Sequence, residues 1–504
     1  MKKVVLGFLS VLAIGGYLIV NNYRQEISVS AQREVTAVPT DNICKDCNVV
    51  LITMTNLRYD HMSGNGYSRP TTPNVDKLSK ESLVFQNAFG HSSWTLPEII
   101  SIYTSLFPFQ HGVMNRYDGS TLSKYTPTLI DVLKDNGYTT AAFTGGFDYN
   151  TEFGLTNRFD HYEECTRGQG QNYPRQPGPR IGGPSQYGEV TCTVPKAIDW
   201  LKENSREKFF VQVQGFDAHC PFSQNGGLTY DKNYKGAVDF SDCLWTFDRT
   251  GPQIIDGQTY YKVYFSKTGT DKFVLLGEED VKHLIALYDE SITSADKEIG
   301  KLLNELKSLG IYDKTIIIFA SEHGDMFGKY GRFMRGGPLR GTFYDDVLHI
   351  PLLIKSSQIS PKRIDGLAEQ IDILPTLLDL LGIQNRLPIE GKSLSPLIFQ
   401  DKEVNEYIFA GSNFTPGANN QYYEKKTRVE VIRDKNWKLI KETVFEKDGT
   451  SKESLELYDI SQDKEELHNV LDERADVVSD LKERLNNRFK ADCFLPMFFR
   501  CSAR

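Results

Sequence analysis

Apolar positions along this chain follow two rhythms. Short unbroken runs have the length and β-branched content of strands buried on both faces: Asn48-Val49-Val50-Leu51-Ile52-Thr53-Met54, Thr139 to Thr144, Phe209 to Val213, Thr315 to Ala320 and Ile350 to Ile354. Longer stretches between them repeat at helical spacing. The clearest runs from Glu278 to Leu309, where Val281, Leu284, Ile285, Tyr288, Ile292, Ala295, Ile299, Leu302, Leu303 and Leu306 form one stripe and Gly310 marks the end. Strands alternating with helices predict an α/β fold, a large, mostly parallel mixed sheet with helices on both faces. Ligands of such sheets sit at the carboxyl ends of the strands.

Two segments interrupt the alternation. Residues 166 to 190 are rich in Gly, Pro, Gln and Arg and predict a long loop; residues 223 to 272 are polar and aromatic and predict an insertion with short strands. After Asp372-Ile373-Leu374-Pro375-Thr376 a helix to Leu381 closes the large domain, expected to span residues 48–400. Strand-like runs at Arg428 to Ile432 and Trp437 to Lys441, then a helical pattern from Arg474 to Phe489, predict a small C-terminal α+β domain over 401–504. At the other end, Lys2 and Lys3 precede an apolar run from Val4 to Val20. That run is short for a spanning helix and long for a signal-peptide core, so residues 1–20 are a cleaved signal or an uncleaved membrane anchor. Both place the body outside the cytoplasm, periplasmic, secreted or tethered at the membrane, with residues 21–47 as a polar tether.

Charge and cysteines narrow the class. A net charge of -8 with no basic block argues against nucleic-acid binding. Eight cysteines, an even number, fit an oxidising compartment. Neighbours in sequence pair Cys165 with Cys192, Cys220 with Cys243, and Cys493 with Cys501. Cys44 and Cys47 could be a redox pair or half a zinc site, but with no second such pair nearby a structural disulfide is expected.

One stretch carries chemistry. In Ser92-Ser93-Trp94-Thr95-Leu96-Pro97-Glu98-Ile99-Ile100-Ser101, a hydroxyl residue stands two positions before a proline and an apolar helical run follows. Proline suits the first turn of a helix. Thr95 would therefore lie at a helix mouth, among free N–H groups and the positive dipole end, where a nucleophile could meet a sulfate or phosphate ester. The plain alternative is an N-cap on a buried helix.

Several stretches, in order, resemble the sulfatase branch of the alkaline phosphatase superfamily. Asn48 to His61 resembles its opening strand and metal turn, and Arg69-Pro70-Thr71-Thr72-Pro73-Asn74 its next segment. Ser92 to Pro108 resembles the nucleophile motif, Asp217-Ala218-His219-Cys220-Pro221 the histidine loop on the substrate side, and Ser321-Glu322-His323-Gly324-Asp325 the second metal motif. Tyr344-Asp345-Asp346, Ile350 to Ile354 and Glu456-Leu457-Tyr458-Asp459 resemble later signatures. The resemblance implies a divalent cation held by paired aspartates after the first strand and by an Asp with Asn or His after a later one, beside a formylglycine made from cysteine or serine. Relatives acting on phosphate esters use threonine with zinc.

The chain departs from that pattern at the points that matter most. Thr55 and Asn56 stand where the aspartates belong, so two negative charges are missing and Glu322 and His323 remain as the stronger ligands. Such a set would hold zinc loosely and calcium poorly. Thr95 stands at the modifiable position, so no formylglycine is expected, and Ile99 replaces a common arginine. His219 and Arg335 keep a proton donor and a positive charge for a tetrahedral anion, Arg335 in place of a family lysine. Three functions stay open: a sulfuric-ester hydrolase on an extracytoplasmic substrate such as a sulfated glycan, with weak or lost turnover; a Thr95-dependent phosphate-ester hydrolase or transferase with zinc; and an inactive module that binds sulfated or phosphorylated ligands.

Overall fold

The computed structural model describes residues 38–114, 119–165, 188–222, 229–236, 238, 244–245, 252–265, 273–335, 342–414 and 426–491. Its main sheet comprises β1 (Asn48–Met54), β2 (Leu83–Phe89), β3 (Thr139–Thr144), β4 (His161–Glu164), β5 (Phe209–Gly215), β10 (Thr315–Ala320), β11 (His349–Lys355) and β12 (Lys362–Glu369). The insertion contributes a separate small sheet of β6 (Leu244–Trp245), β7 (Gln253–Ile255), β8 (Gln258–Phe265) and β9 (Phe273–Gly277).

In the main sheet the order is β12-β2-β11-β10-β1-β5-β3-β4. Strands β10, β1, β5, β3 and β4 run parallel, β11 is antiparallel to both its neighbours, and β12 is parallel to β2. The predicted α/β architecture is therefore present. Every residue of β1 is buried, because partners flank it on both edges and helices cover both faces. Alternation divides its side chains. Val49 and Leu51 join the core beneath helices Thr95–Thr104, Leu129–Asp135 and Ile373–Leu380; Val50, Ile52 and Met54 join the core beneath Val190–Asn204 and Glu278–Ser308.

The long helix Glu278–Ser308 starts with three acidic residues, which suit the positive end of its dipole, and stops at Leu309 before Gly310, whose φ of +69° few other residues adopt cheaply. Strands β2 and β12 escape the hydrophobic pattern because polar residues interrupt them, Gln86 and Asn87 in one, Arg363 and Asp365 in the other.

A second, antiparallel sheet follows: β13 (Ile408–Phe414), β14 (Lys426–Arg433), β15 (Trp437–Phe445) and β16 (Ser451–Asp459). One face packs on Leu481 and Leu485 of helix Ala475–Ala491 through Ile432, Leu439 and Leu457; the other packs through Val429, Val431 and Tyr458 on Phe89, Tyr344 and Leu348 of the main domain.

The end of the polar N-terminal stretch is docked on the domain. Val38 is buried, Asn42 Nδ2 donates to the Gln358 carbonyl at 2.5 Å, and the Cys44 N–H donates to Leu380 O at 2.8 Å. Disulfides join Cys44 to Cys47 and Cys165 to Cys192. Cys220 is also disulfide-bonded, while Cys243, Cys493 and Cys501 lie outside the described residues. Among the described residues no helix is long and apolar enough to cross a membrane, and the apolar run Val4 to Val20 lies outside them.

Candidate functional site

The carboxyl ends of β1, β5 and β10 meet the N-terminus of helix Thr95–Thr104. Because β1 and β10 are parallel and pair Thr53 with Ala320, the turns that follow the two strands emerge side by side: Thr55 and Asn56 directly after β1, Glu322 and His323 one residue further on after β10. All four are buried.

Thr95 is fully buried and its Oγ lies 3.0 Å from His323 Nε2. The other ring nitrogen, Nδ1, lies 2.8 Å from the Gly324 carbonyl, which can only accept. Nδ1 therefore carries the proton, Nε2 is the acceptor, and the Thr95 hydroxyl donates to it. Burial, with Arg335 adding to it, pushes the His323 imidazole well below its usual pKa, so the neutral form is the resting one.

Around this pair the charges are tightly held. Asn56 Nδ2 donates to Asp325 Oδ2 at 2.7 Å, the Met326 N–H donates to Asp325 Oδ1 at 2.9 Å, and Arg335 Nη1 stands 4.0 Å from Asp325 Oδ2. Burial raises the Asp325 carboxyl and Arg335 opposes the shift. Arg58 Nη1 donates to the Asp325 carbonyl at 3.2 Å and pairs with Asp346 at 2.9 Å. Glu322 looks toward other groups. Tyr149 Oη donates to its Oε1 at 3.1 Å, and burial pushes the carboxyl up against hydrogen bonds from Thr55, Thr53 and Tyr149. Thr55 Oγ1 in turn accepts from Gln214 Nε2 at 2.8 Å.

His219 sits on the loop after β5. Asp217 anchors that loop by accepting the Val190 N–H at 3.0 Å, at the start of helix Val190–Asn204. The His219 Nδ1 hydrogen-bonds the Cys220 carbonyl, and Phe216 lies edge-on at 5.9 Å. Cys220 Sγ lies 3.9 Å from Met334 Sδ, which brings this loop beside the segment that carries Arg335. Thr95, His323, Asn56 and Arg335 thus share one hydrogen-bonded and charged cluster; Thr55 and Glu322, hydrogen-bonded to each other, are held beside it by Gln214 and Tyr149; His219 lies on the next loop.

Sequence reasoning did not single out Asp325, Tyr149 or Glu98. Asp325 lies inside a quoted motif and could have been found there. Tyr149 comes from a single turn of helix, Phe147–Tyr149, that carries no pattern. Glu98 is fully buried in the first turn after Thr95, and its Oε1 accepts the N–H groups of His91, at 2.6 Å, and Ser92. It clamps the segment that leads into Thr95.

The donor set does not make a calcium or magnesium site. Those ions take six or more oxygens with several carboxylates. Here Glu322 is the one acid among the four expected ligands, and Asp325 is engaged by an amide, a backbone N–H and a guanidinium. Among the described residues no group of three or more His, Cys, Asp and Glu is placed to share an ion. Asn56 Oδ1 and Glu322 Oε2 are buried oxygens without a hydrogen-bond partner, as are the hydroxyls of Ser92 and Ser93. Such groups gather where a protein meets a polar ligand.

A family model described as sulfatase matches residues 47–383, and one described as the C-terminal region of N-sulphoglucosamine sulphohydrolase matches residues 339–491. Arylsulfatase K of Xenopus laevis is 26% identical over 446 residues, covering 82% of this chain and 77% of that protein. Among solved structures, a protein in complex with D-glucosamine-2-N,6-O-disulfate superposes with a TM-score of 0.64 at 19% identity, over 90% of this chain and 99% of the other. A phosphonate monoester hydrolase of Agrobacterium radiobacter gives 0.65 at 21% identity, over 88% and 96%. These structural likenesses establish the fold.

Proposed function

Because this chain belongs to the sulfatase family, we propose that it is an extracytoplasmic sulfuric-ester hydrolase with Thr95 as nucleophile, acting on a sulfated small molecule or glycan. The observation that carries this reading is the hydrogen bond from Thr95 Oγ to His323 Nε2 at 3.0 Å, whose direction Gly324 fixes. A hydroxyl needs a base to become a nucleophile, and a neutral imidazole held in the correct tautomer is one.

In the forward step Thr95 Oγ attacks sulfur and its proton passes to His323 Nε2. The bond from sulfur to the leaving oxygen breaks, and that oxygen takes a proton from His219 in its charged form. Water then attacks the sulfur of the sulfated threonine and gives a proton to His219. The sulfur–Oγ bond breaks, and His323 returns its proton to Thr95. The balance is ester plus water to alcohol plus hydrogen sulfate. Arg335 would neutralise charge on the ester oxygens as the leaving oxygen departs. Because the donors do not fit calcium or magnesium, no step is assigned to a metal ion. The arrangement would serve a phosphate ester in the same way, and the structural likeness to a phosphonate monoester hydrolase keeps that substrate within the same assay.

A second reading, retained binding of sulfated ligands without turnover, is favoured by the neutral residues Thr55 and Asn56. The assay is hydrolysis of 4-nitrophenyl sulfate and 4-nitrophenyl phosphate by the purified chain and by Thr95→Ala. Turnover lost in Thr95→Ala, by about 100-fold or more as expected for removal of a nucleophile, supports the hydrolase. Equal rates for the two proteins would remove Thr95 from the mechanism, and no rate with intact ligand binding would favour the binding module.

A further inference from the structure

Thr55 and Asn56 are more than missing ligands, because each is already committed within the protein. The Thr55 oxygen accepts from Gln214. The Asn56 amide must turn its nitrogen toward Asp325, since a carboxylate only accepts. Its backbone, at a φ of +72°, is left-handed, a conformation Asn tolerates better than most residues. Its amide nitrogen is thus committed to Asp325, and only the neutral Oδ1, buried and without a partner, is left where a cation would need a carboxylate. Arg335, 4% exposed and permanently charged, stands against the same carboxylate. The cluster already contains a cation, and it is covalently attached.

The surroundings favour an anion. Helix Thr95–Thr104 has no side-chain cap at Trp94, which leaves the first N–H groups of the helix without that partner. Ser92 and Ser93, just before it, are fully buried and their hydroxyls have no partner. The Arg335 guanidinium and the helix N-terminus that carries Thr95 meet at His323, and Ser92 and Ser93 lead into that terminus; donors of this kind match a tetrahedral group carrying several oxygens.

We propose that this site holds the sulfate or phosphate group of its ligand without a resident divalent cation, Arg335 and the Thr95 helix N-terminus taking the ion's place. The inference rests on the ester-binding reading above, and its failure is separable from failure of Thr95 catalysis. The experiment uses the full chain: metal content by plasma mass spectrometry, and calorimetric binding of inorganic sulfate, inorganic phosphate and 4-nitrophenyl sulfate before and after dialysis against a chelator.

Binding that chelation leaves unchanged, with well under one divalent ion per chain, is expected. Arg335→Met should weaken it about 10- to 100-fold, the range for losing a charge-assisted bidentate contact, and Arg335→Lys should lie between. The pair Thr55→Asp with Asn56→Asp sets two acids near Asp325 and Glu322 and should create calcium binding absent from the parent, which checks the placement even if Arg335→Met does not fold. A stoichiometric zinc or calcium whose removal abolishes binding overturns the inference, as does Arg335→Met binding sulfate like the parent. Turnover that requires an added cation overturns it while leaving Thr95 catalysis standing. Chelator-resistant binding without turnover supports it while removing the hydrolase reading.

Discussion

Lys438 offers the sharpest test of how the two sheets are held together. It lies on β15 with no exposed surface, and its ammonium joins Asp345 Oδ1 at 2.7 Å and Glu466 Oε1 at 2.6 Å. The chain of charges continues outward. Asp345 Oδ2 meets Arg433 at 2.5 Å; Glu466 faces Lys329 at 3.6 Å; Lys329 meets Asp346 at 2.5 Å; and Asp346 meets Arg58, which donates to the Asp325 carbonyl in the candidate site.

Lys438→Met keeps most of the stem and removes the charge, leaving two buried carboxyls facing each other. Breaking one partner out of a buried ion pair costs about 3–5 kcal/mol. Unfolding entropy of about 2.1 cal/mol/K per residue gives roughly 1 kcal/mol per degree for a chain of 504 residues, so the midpoint should fall by about 3–5 °C if the chain melts as one unit. Scanning calorimetry at one scan rate and neutral pH reads this directly. Lys202→Met is the control, since Lys202 meets Asp199 at 3.4 Å with both side chains at least half exposed, a pair worth about 0–1 kcal/mol. Adding Glu466→Gln to Lys438→Met should restore part of the loss. A Lys438→Met midpoint that matches the control would refute the reasoning.

The buried histidines His91 and His111 should each cost stability as pH falls below neutral, in opposition to buried carboxyls such as Asp296 and Asp372, raised to about 6, which add to it. Burial pushes His91 down to about 4 and His111 down to about 3, from an ordinary value of 6.5. A depressed folded-state pKa contributes stability above the unfolded value that is lost as pH falls through the folded one, so between pH 6.5 and its own pKa His91 should cost on the order of 3 kcal/mol and His111 on the order of 5 kcal/mol. The stability difference between the parent and His111→Gln should narrow from pH 7 to 4.5, and a difference that stays constant would contradict this. Replacing Cys165 and Cys192 together with alanine opens a bridge that spans 27 positions, and denaturant titration should show a loss of about 3–4 kcal/mol; a loss under 1 kcal/mol would mean that the unfolded chain is constrained by other means.

The predictions from pattern succeeded where burial on both faces leaves a continuous apolar run. Strands β1, β3 and β10 lie where the sequence places them, as does the helix from Glu278, because a parallel sheet under two helical layers tolerates few polar side chains. Edge and antiparallel strands obey no such demand: β12 alternates exposed charges with buried Ile364 and Leu367 and left no readable run. Likewise, the small domain's helix was legible from its apolar stripe, whereas its first and last strands, β13 and β16, were not.

At the candidate site, residue types and order along the chain determined which side chains carry chemistry and which expected acids are absent. Tertiary structure decided what those side chains do to one another. The imidazole tautomer of His323 depends on a carbonyl one residue away and a hydroxyl 228 positions distant. The direction of the Asn56 amide depends on Asp325, across 269 positions. Hydrogen bonds and charges act over a few ångströms of space, and linear order states only which groups exist to be brought that close.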